Sequence, residues 1–500
     1  MAFSSFLSVL NDNIVSLPLL VLILTFHISL AYLIYNLFFH PLSHIPGPLL
    51  ARLSPLYLFY ITYVGQEARI VHRLHNKYGP VVRIAPNEVS VSDGRALKVV
   101  YTDGGGMRKA NCYRNFDIDG FPSIFSELEK DNRAVRAKSV AGLFSTSAIR
   151  KNGEMVIREV VERWVIGIKE KRDASLRKGM GRKCGDTVDL LRSARALALD
   201  AVTGYLFGTV YGALQEDMGE KDKLSAALFV DSFVAVGRFF YLPMWAFTLL
   251  ESLSAKSAED KLVLSESMET VDDFVTRIVE QVDVNDSEEN TYQARMLRAS
   301  ISKEETKAQC KDLMFAGTDS TGMNLATICW HLSKSPEKYA RLRAELLLNP
   351  LSDPQTLPYL SGVIKEGLRL SMANPTRMPR VVPSSGIILP SGQYLPPSII
   401  IGLQPYSLHF NPAIFPSPQE FIPERWLDPT PEMLRDHIPF GLGSRACIAR
   451  NLATVELFLA VDGIVRADIL KGAKAVGEKI EILEWFNSRV VGERVEIAWL

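Results

Sequence analysis

Between Asn13 and Ala51 the chain carries no Asp, Glu, Lys or Arg, and Ile14 to Phe39 within that stretch is dominated by Leu, Ile, Val, Phe and Tyr. About 20 apolar residues let a helix cross the hydrocarbon core of a bilayer. A cleaved signal has a shorter apolar region behind a basic start, whereas the only charge ahead of this run is Asp12. The pattern predicts a single transmembrane helix in an anchor of residues 1–44; its competitor is a buried core helix. Basic residues begin after the span, at Arg52, so the positive-inside rule assigns the body of the chain, residues 45–500, to the cytoplasm. His44-Ile45-Pro46-Gly47-Pro48 follows; its prolines forbid helix continuation and its glycine permits a sharp change of direction.

The body has the material for a large buried core, with 47% hydrophobic and 22% charged residues over the 500-residue chain. Lys plus Arg and Asp plus Glu both number 56, so no global field favours nucleic acid as a partner. The five cysteines, Cys112, Cys184, Cys310, Cys329 and Cys447, are scattered and odd in number. That pattern excludes a disulfide scaffold and fits a reducing compartment. Leu74 to Pro86 reads as a helix end, a glycine stop at Gly79 and a strand, and Val89-Ser90-Val91-Ser92 alternates as a second strand, which predicts a small sheet near the membrane. From Lys130 to about Val282 the spacing is mostly helical. Arg172–Asp186 and Glu216–Lys223 are expected as solvated loops, with docking of a redox partner as the alternative. Phe229 to Leu250 is apolar enough to line a substrate entrance, touch the bilayer or form plain core. Acidic Asp283 to Glu289 reads as an exposed loop.

Four signals carry chemistry. Ser302-Lys303-Glu304-Glu305 has the form of a capping box, predicting a helix from Lys303 to about Ser333. Near its middle lies Ala316-Gly317-Thr318-Asp319-Ser320-Thr321. Glycine and hydroxyl residues weaken a helix locally. A small residue there admits a flat ligand, and Asp319 beside Ser320 offers an acid and an alcohol for relaying protons. Alone, the motif reads equally as a Ser/Thr-rich kink. Glu366-Gly367-Leu368-Arg369 places a carboxylate and a guanidinium on one helix face, by itself no more than a surface pair. Phe421-Ile422-Pro423-Glu424-Arg425-Trp426 is a Pro-bounded turn that could bring a second arginine to Glu366. Finally, Pro439-Phe440-Gly441-Leu442-Gly443-Ser444-Arg445-Ala446-Cys447 is a glycine-rich loop running through a cysteine into an apolar helix. Loop N–H groups and a helix N-terminus lower a thiol pKa, and thiolate is the metal-binding form. The competing reading is a buried structural cysteine.

In this order, and over nearly the whole chain, the motifs resemble the cytochrome P450 family: mainly α with small β-sheets. The anchor with Pro46-Gly47-Pro48 is similar to its microsomal form, and Leu74 to Pro86 and Leu357 to Pro383 to its fungal branch. The resemblance implies that 45–500 is a heme-thiolate catalytic domain, with heme b ligated by Cys447 in the loop containing Phe440 and Gly441. Arg445 and Arg380 would meet the propionates, and Glu366, Arg369 and Arg425 would form the structural triad behind the heme. Ala316, Gly317, Asp319, Ser320 and Thr321 would form the oxygen-activating groove. Three departures stand out. Ser320 takes the place of the family's threonine, with Thr321 beside it; Ala449 replaces the glycine two after the cysteine; and the helix ahead of Phe144-Ser145 lacks the usual Trp and His, leaving Arg133 or Arg136 to substitute. The implied function is a monooxygenase that activates dioxygen to oxidise a lipophilic small molecule, plausible for fungal secondary metabolism. No flavin domain follows the cysteine helix, so electrons are expected from a separate NADPH-dependent flavoprotein reductase at the endoplasmic reticulum membrane. Substrate contacts are expected from Tyr101–Ser126, Phe229–Leu250 and Asn374–Met378. An oxygen-independent heme-thiolate isomerase or dehydratase, and a non-catalytic membrane-tethered heme or lipid binder, are the competing functions.

Overall fold

The computed structural model describes residues 19–179, 187–219, 224–253, 258–286 and 288–499. The chain enters through a helix at Leu19–Phe39, 21 residues of mean hydropathy 1.9 with almost no cover from the rest of the protein, long and apolar enough to cross a membrane. Its expected start at Ile14 lies outside the described residues. Two arginines tie its end to the body. Arg52 donates through Nη2 to the carbonyls of Leu37 (2.9 Å) and Ser43 (3.0 Å), cationic partners for carbonyls that a helix end leaves free. Fully buried Arg83 donates to the Asn36 carbonyl at 2.9 Å and the Pro86 carbonyl at 2.7 Å. A Cβ on Gly47 would run into the Arg83 carbonyl oxygen, so this glycine serves close packing of the connector against the first strand.

Helix α1 (Glu67–Tyr78) stops at Gly79, which takes φ 99°. Strand β1 (Val81–Ala85) follows, all five residues buried, and turns antiparallel into β2 (Glu88–Val91) with Val81 opposite Val91. The alternation expected in β2 does not separate a wet face from a dry one. Ser90 is fully buried and hydrogen-bonded to His75 Nε2 at 2.8 Å, a polar group satisfied inside rather than solvated. Three distant strands complete the sheet: β3 (Arg108–Lys109), β4 (Arg380–Val381) and β5 (Ile400–Leu403), in the order β1-β2-β5-β4-β3. β2 runs parallel to β5, while Lys109 sits opposite Arg380 across the antiparallel pair of β3 and β4. That register sets two cations side by side.

The remainder is mainly helical: α2 (Lys130–Val140), α3 (Glu154–Gly179), α4 (Leu190–Phe207), α5 (Ala227–Val236), α6 (Met244–Leu253), α7 (Lys303–Lys334), α8 (Pro358–Ser371) and α9 (Arg450–Arg466). Two loop expectations are corrected. Arg172 to Gly179 continues α3, and Glu216 lies in the helix Ala213–Met218 with its carboxylate accepting from Ser225 N and Oγ, both at 2.8 Å; 180–186 and 220–223 lie outside the described residues. In the acidic stretch, 283–286 and 288–289 are irregular and largely exposed, and Ser287 lies outside the described residues.

α7, of 32 residues, runs through the main core, roughly 48 Å at 1.5 Å per residue. Ser302 caps it by accepting the Glu305 N–H at 3.1 Å. The reciprocal arm of the capping box is not used, because the Glu305 carboxylate pairs with Arg136 instead. Nor is the helix broken: Thr318 Oγ1 donates to the Met314 carbonyl at 2.5 Å and Ser320 Oγ to the Ala316 carbonyl at 3.1 Å, so both hydroxyls are absorbed within the helix. Glycines let neighbours approach. A Cβ on Gly317 would lie 2.7 Å from Val202 Cγ2, and one on Gly322 2.6 Å from Arg195 Cγ, both on α4.

Candidate active site

One large cavity lies between α7 and the loop that precedes α9, with about 1940 Å³ not filled by protein atoms, part of it open to solvent. Cys447 lines its floor with Phe440, Gly441 and Arg445; Ala316, Gly317, Ser320 and Thr321 line the facing wall. The floor is a loop closed on itself. Gly441 N donates to the Ile438 carbonyl at 3.0 Å, Cys447 N to the Phe440 carbonyl at 2.9 Å and Ala446 N to the Gly443 carbonyl at 3.1 Å. Gly441 and Gly443 take φ 67° and 73°, a region costly for residues with a Cβ, and a Cβ on Gly443 would also strike the Tyr101 carbonyl oxygen.

Burial pushes the Cys447 pKa above its ordinary value, outweighing the Ala449 N–H and the Arg450 charge that draw it down. Cys447 is reached through the cavity yet crowded by protein, and desolvation penalises its anion.

Asp319 and Ser320 are separated rather than paired. Successive helix residues point about 100° apart, and Asp319 turns away from the cavity to meet Arg195 Nη2 at 2.5 Å; the same guanidinium holds Asp231 of α5 at 3.1 Å. Burial raises the Asp319 pKa, with Arg195 opposing. Gly317 lines the cavity and at the same time lets Val202 approach the helix.

Cations gather at one end of the cavity. Arg445 donates to the carbonyls of Glu127 (2.7 Å) and Leu128 (2.8 Å), and Arg133 Nε to that of Ile124 (3.2 Å). Arg380 stands behind the lining, donating to Tyr113 Oη at 3.2 Å and the Pro379 carbonyl at 3.0 Å. Arg136, the other candidate on α2, is spent on Glu305 and Glu127. The sequence reading missed buried Lys109, which lines the cavity, donates to the Phe125 carbonyl at 2.5 Å and lies over the Tyr113 and Phe125 rings. Burial, then Arg380, Arg445 and Arg133, hold its pKa well below the ordinary value. Burial and neighbouring arginines lower Arg445 to about 10. Asp312, hydrogen-bonded to Ser123, also lines the cavity and was likewise missed; burial pushes it up to about 6. Lone Lys and Asp residues without a motif carried no signal; only the β3–β4 register brings Lys109 to Arg380.

Behind the floor, Glu366 and Arg369 are fully buried, which overturns the surface-pair reading. Arg369 donates Nε and Nη2 to the two Glu366 oxygens at 2.9 and 2.8 Å. Arg425 Nε adds a third bond at 3.1 Å, the Ile422 N–H a fourth at 3.0 Å and Trp426 Nε1 a fifth at 2.9 Å. Burial pushes this carboxyl up, but the arginines and the Ile422 N–H prevail and its pKa falls below the ordinary value.

The other walls are largely apolar. Phe116, Phe125 and Phe486 pack at 5.3 to 5.7 Å between ring centroids, and Phe233 of α5 meets Phe315 at 5.2 Å. Of Phe229–Leu250 only Phe233 lines the cavity; Phe229 is core and Trp245 of α6 is 73% exposed. Asn374, Thr376 and Met378 line the cavity as expected, whereas Arg377 between them turns into the protein toward Glu67 (3.4 Å) and Glu88 (3.1 Å).

The chain matches the family model described as Cytochrome P450 over residues 48–467. It is 41% identical over 493 residues to the cytochrome P450 monooxygenase mfmF of Annulohypoxylon moriforme, covering 94% of this chain and 97% of that one. Pisatin demethylase of Fusarium vanettenii is 29% identical, covering 88% and 85%, and fusicoccadiene C-8 hydroxylase of Alternaria brassicicola 28% identical, covering 89% and 88%. A cytochrome P450 crystal structure superposes with a TM-score of 0.67 at 15% identity, covering 86% of this chain and 93% of that one, a likeness of fold. Proteins of this kind hold heme through a cysteine thiolate, draw electrons from a redox partner and oxidise lipophilic molecules. The chain belongs to the cytochrome P450 family, as a monooxygenase of the fungal type.

Proposed function

We propose that residues 45–500 form a catalytic domain in which Cys447 would hold the iron of heme b through its thiolate, with Arg445, Arg133 and Lys109 holding the propionates and Arg380 reinforcing them from behind. The observation that carries this reading is the cluster of four cations at one end of the cavity whose floor is Cys447: Lys109, Arg133 and Arg445 in its lining and Arg380 behind it, with Lys109 and Arg380 buried and the other two half-buried. Such a cluster calls for carboxylates, and a thiol raised by desolvation calls for a cation beside its sulfur; a heme with two propionates and a ferric centre meets both demands. When bound, that group supplies dioxygen activation and oxidation of a C–H bond.

The chain's own residues position, exclude water and move protons. Ser320 and Thr321 present hydroxyls at the cavity wall, and Asp319, once it leaves Arg195, takes a proton from water and passes it to Ser320. Glu366, Arg369 and Arg425 keep the floor rigid. The phenylalanines exclude water around a lipophilic substrate, while Asn374 and Thr376 offer its few polar contacts. Relatives such as fusicoccadiene C-8 hydroxylase support a substrate from fungal secondary metabolism.

Electrons come from a separate NADPH-dependent flavoprotein reductase sharing the endoplasmic reticulum membrane, with this domain facing the cytoplasm. Contact with the bilayer is supported by Leu49, Leu50, Leu56, Tyr60, Trp245 and Leu249, all exposed. They lie beside the end of the membrane-length helix and on α6, joined through packing of helix Leu56–Tyr63 on Gly237–Phe239.

The test is substrate-dependent consumption of NADPH and oxygen with reductase, alongside the reduced, carbon monoxide-bound spectrum. Wild type is expected to show the thiolate signature and Cys447→Ser to lose it. Turnover without oxygen uptake would favour an isomerase or dehydratase, and heme binding without turnover a passive binder.

A further inference from the structure

The helix Pro405–His409 ends beside the cavity, where the His409 imidazole is 1% exposed. Its Nε2 lies 3.0 Å from the Ile438 N–H and its Nδ1 3.3 Å from the Arg369 carbonyl. A backbone amide only donates and a carbonyl only accepts. Both contacts are therefore satisfied by one state, the neutral ring with its proton on Nδ1. Arg369 answers through its side chain, Nη1 donating to the His409 carbonyl at 3.0 Å, so the two residues are bridged twice.

Ile438 is where the floor loop begins. Its carbonyl accepts Gly441 N, and the Phe440 carbonyl two residues on accepts Cys447 N. His437 stacks on His409 with centroids 5.4 Å apart and packs on Trp426 at 4.6 Å. Trp426 in turn donates to Glu366. The path from Glu366 through Arg369, His409 and Ile438 is thus closed by His437 and Trp426.

We propose that His409 is a positioning residue that sets the register of the Cys447 loop against the buried Glu366–Arg369 pair, through its acceptor on Ile438 and its donor on Arg369. Burial holds its pKa well below the ordinary histidine value, as a permanently neutral bridge requires. The proposal rests on the reading of Cys447 as heme ligand.

The experiment uses the full-length, heme-loaded protein with His409→Gln, His409→Asn and His409→Phe. Glutamine can place an oxygen where Nε2 accepts, asparagine reaches only the Nδ1 side, and phenylalanine keeps volume alone. Two readouts are taken: amide hydrogen exchange at Ile438 and Gly441, and the ratio of thiolate to neutral-thiol signature with carbon monoxide. Losing the buried hydrogen bond from Ile438 predicts roughly tenfold faster exchange and a roughly tenfold lower ratio in the asparagine and phenylalanine variants, with the glutamine variant within about twofold of wild type. A general packing role would lower heme content in all three without changing the ratio in the loaded fraction. Ratios at wild-type level in the asparagine and phenylalanine variants, or glutamine as damaged as phenylalanine, would overturn the proposal. So would rapid exchange of the Ile438 amide in wild type, a measurement that needs no variant to fold. If Cys447→Ser keeps the thiolate signature, the ligand reading fails while exchange at Ile438 still tests His409.

Discussion

Replacing Glu366 by glutamine removes a charge and almost no volume from a carboxylate that accepts five hydrogen bonds: two from Arg369, one from Arg425, one from the Ile422 amide and one from the Trp426 indole. All five groups are donors, so the new NH2 faces donors wherever it points, and Arg369, itself fully buried, loses its counter-charge. Removing one partner of a buried pair costs about 3–5 kcal/mol, a large share of the 5–15 kcal/mol that typically separates folded from unfolded states. The loss has a pH signature. The folded-state pKa of Glu366 lies below the ordinary carboxylate value, so its stabilisation is full above the ordinary carboxylate range and disappears as pH falls through the depressed folded value. Wild type and Glu366→Gln are therefore expected to differ by the full amount at pH 7 and to converge in acid. Urea unfolding followed by circular dichroism at pH 7 and in steps descending through and below the carboxylate range measures both. A loss under about 1 kcal/mol at neutral pH, the size of a surface pair, would refute the reasoning, as would a difference that grows on acidification.

Asp319→Asn leaves Arg195 with Asp231 as its carboxylate partner and is expected to lower kcat about a hundredfold with substrate affinity retained, the size of one positioned acid–base group; an unchanged kcat would remove Asp319 from the proton path. Arg445→Leu deletes a cavity-lining cation and should speed heme loss to a scavenging apoglobin by about 10- to 100-fold, the worth of one charge-assisted bond; a wild-type loss rate would mean that Arg445 does not meet the propionates. Gly443→Ala puts a methyl at φ 73° against the Tyr101 carbonyl and should abolish heme loading. Gly441→Ala, at φ 67° with Met378 Sδ 3.5 Å away as its nearest neighbour, should cost only about 1 kcal/mol of backbone strain. Equal loading of the two variants would show that the close approach to Tyr101 is unimportant.

Much of this was legible without coordinates where the signal was local. A run free of charge marks a membrane-length helix because lipid leaves backbone polar groups no other partner. Ser302 marks a helix start because four N–H groups there need acceptors, and the glycines around Cys447 mark a loop that only glycine adopts. Where the signal depended on what stands opposite, the sequence misled. Glu305 completed a capping box on paper and went to Arg136 in the fold. Gly317 leaves room for Val202 as well as lining the cavity. Asp319 and Ser320 are adjacent in sequence, yet the helical turn sends one to Arg195 and the other to the cavity.

The order and identity of its motifs determined this protein's family, its membrane-length helix and the glycine-rich cysteine loop, because each motif reports a local backbone or solvation requirement that few residues satisfy. Tertiary structure decided which charges share a space. It set Lys109 opposite Arg380, spent Arg136 on two glutamates while leaving Arg133 at the cavity, and tied His409 to both Arg369 and Ile438. Electrostatic and hydrogen-bond partners across a core are fixed by strand register and helix packing between residues hundreds of positions apart, and no local pattern encodes that geometry.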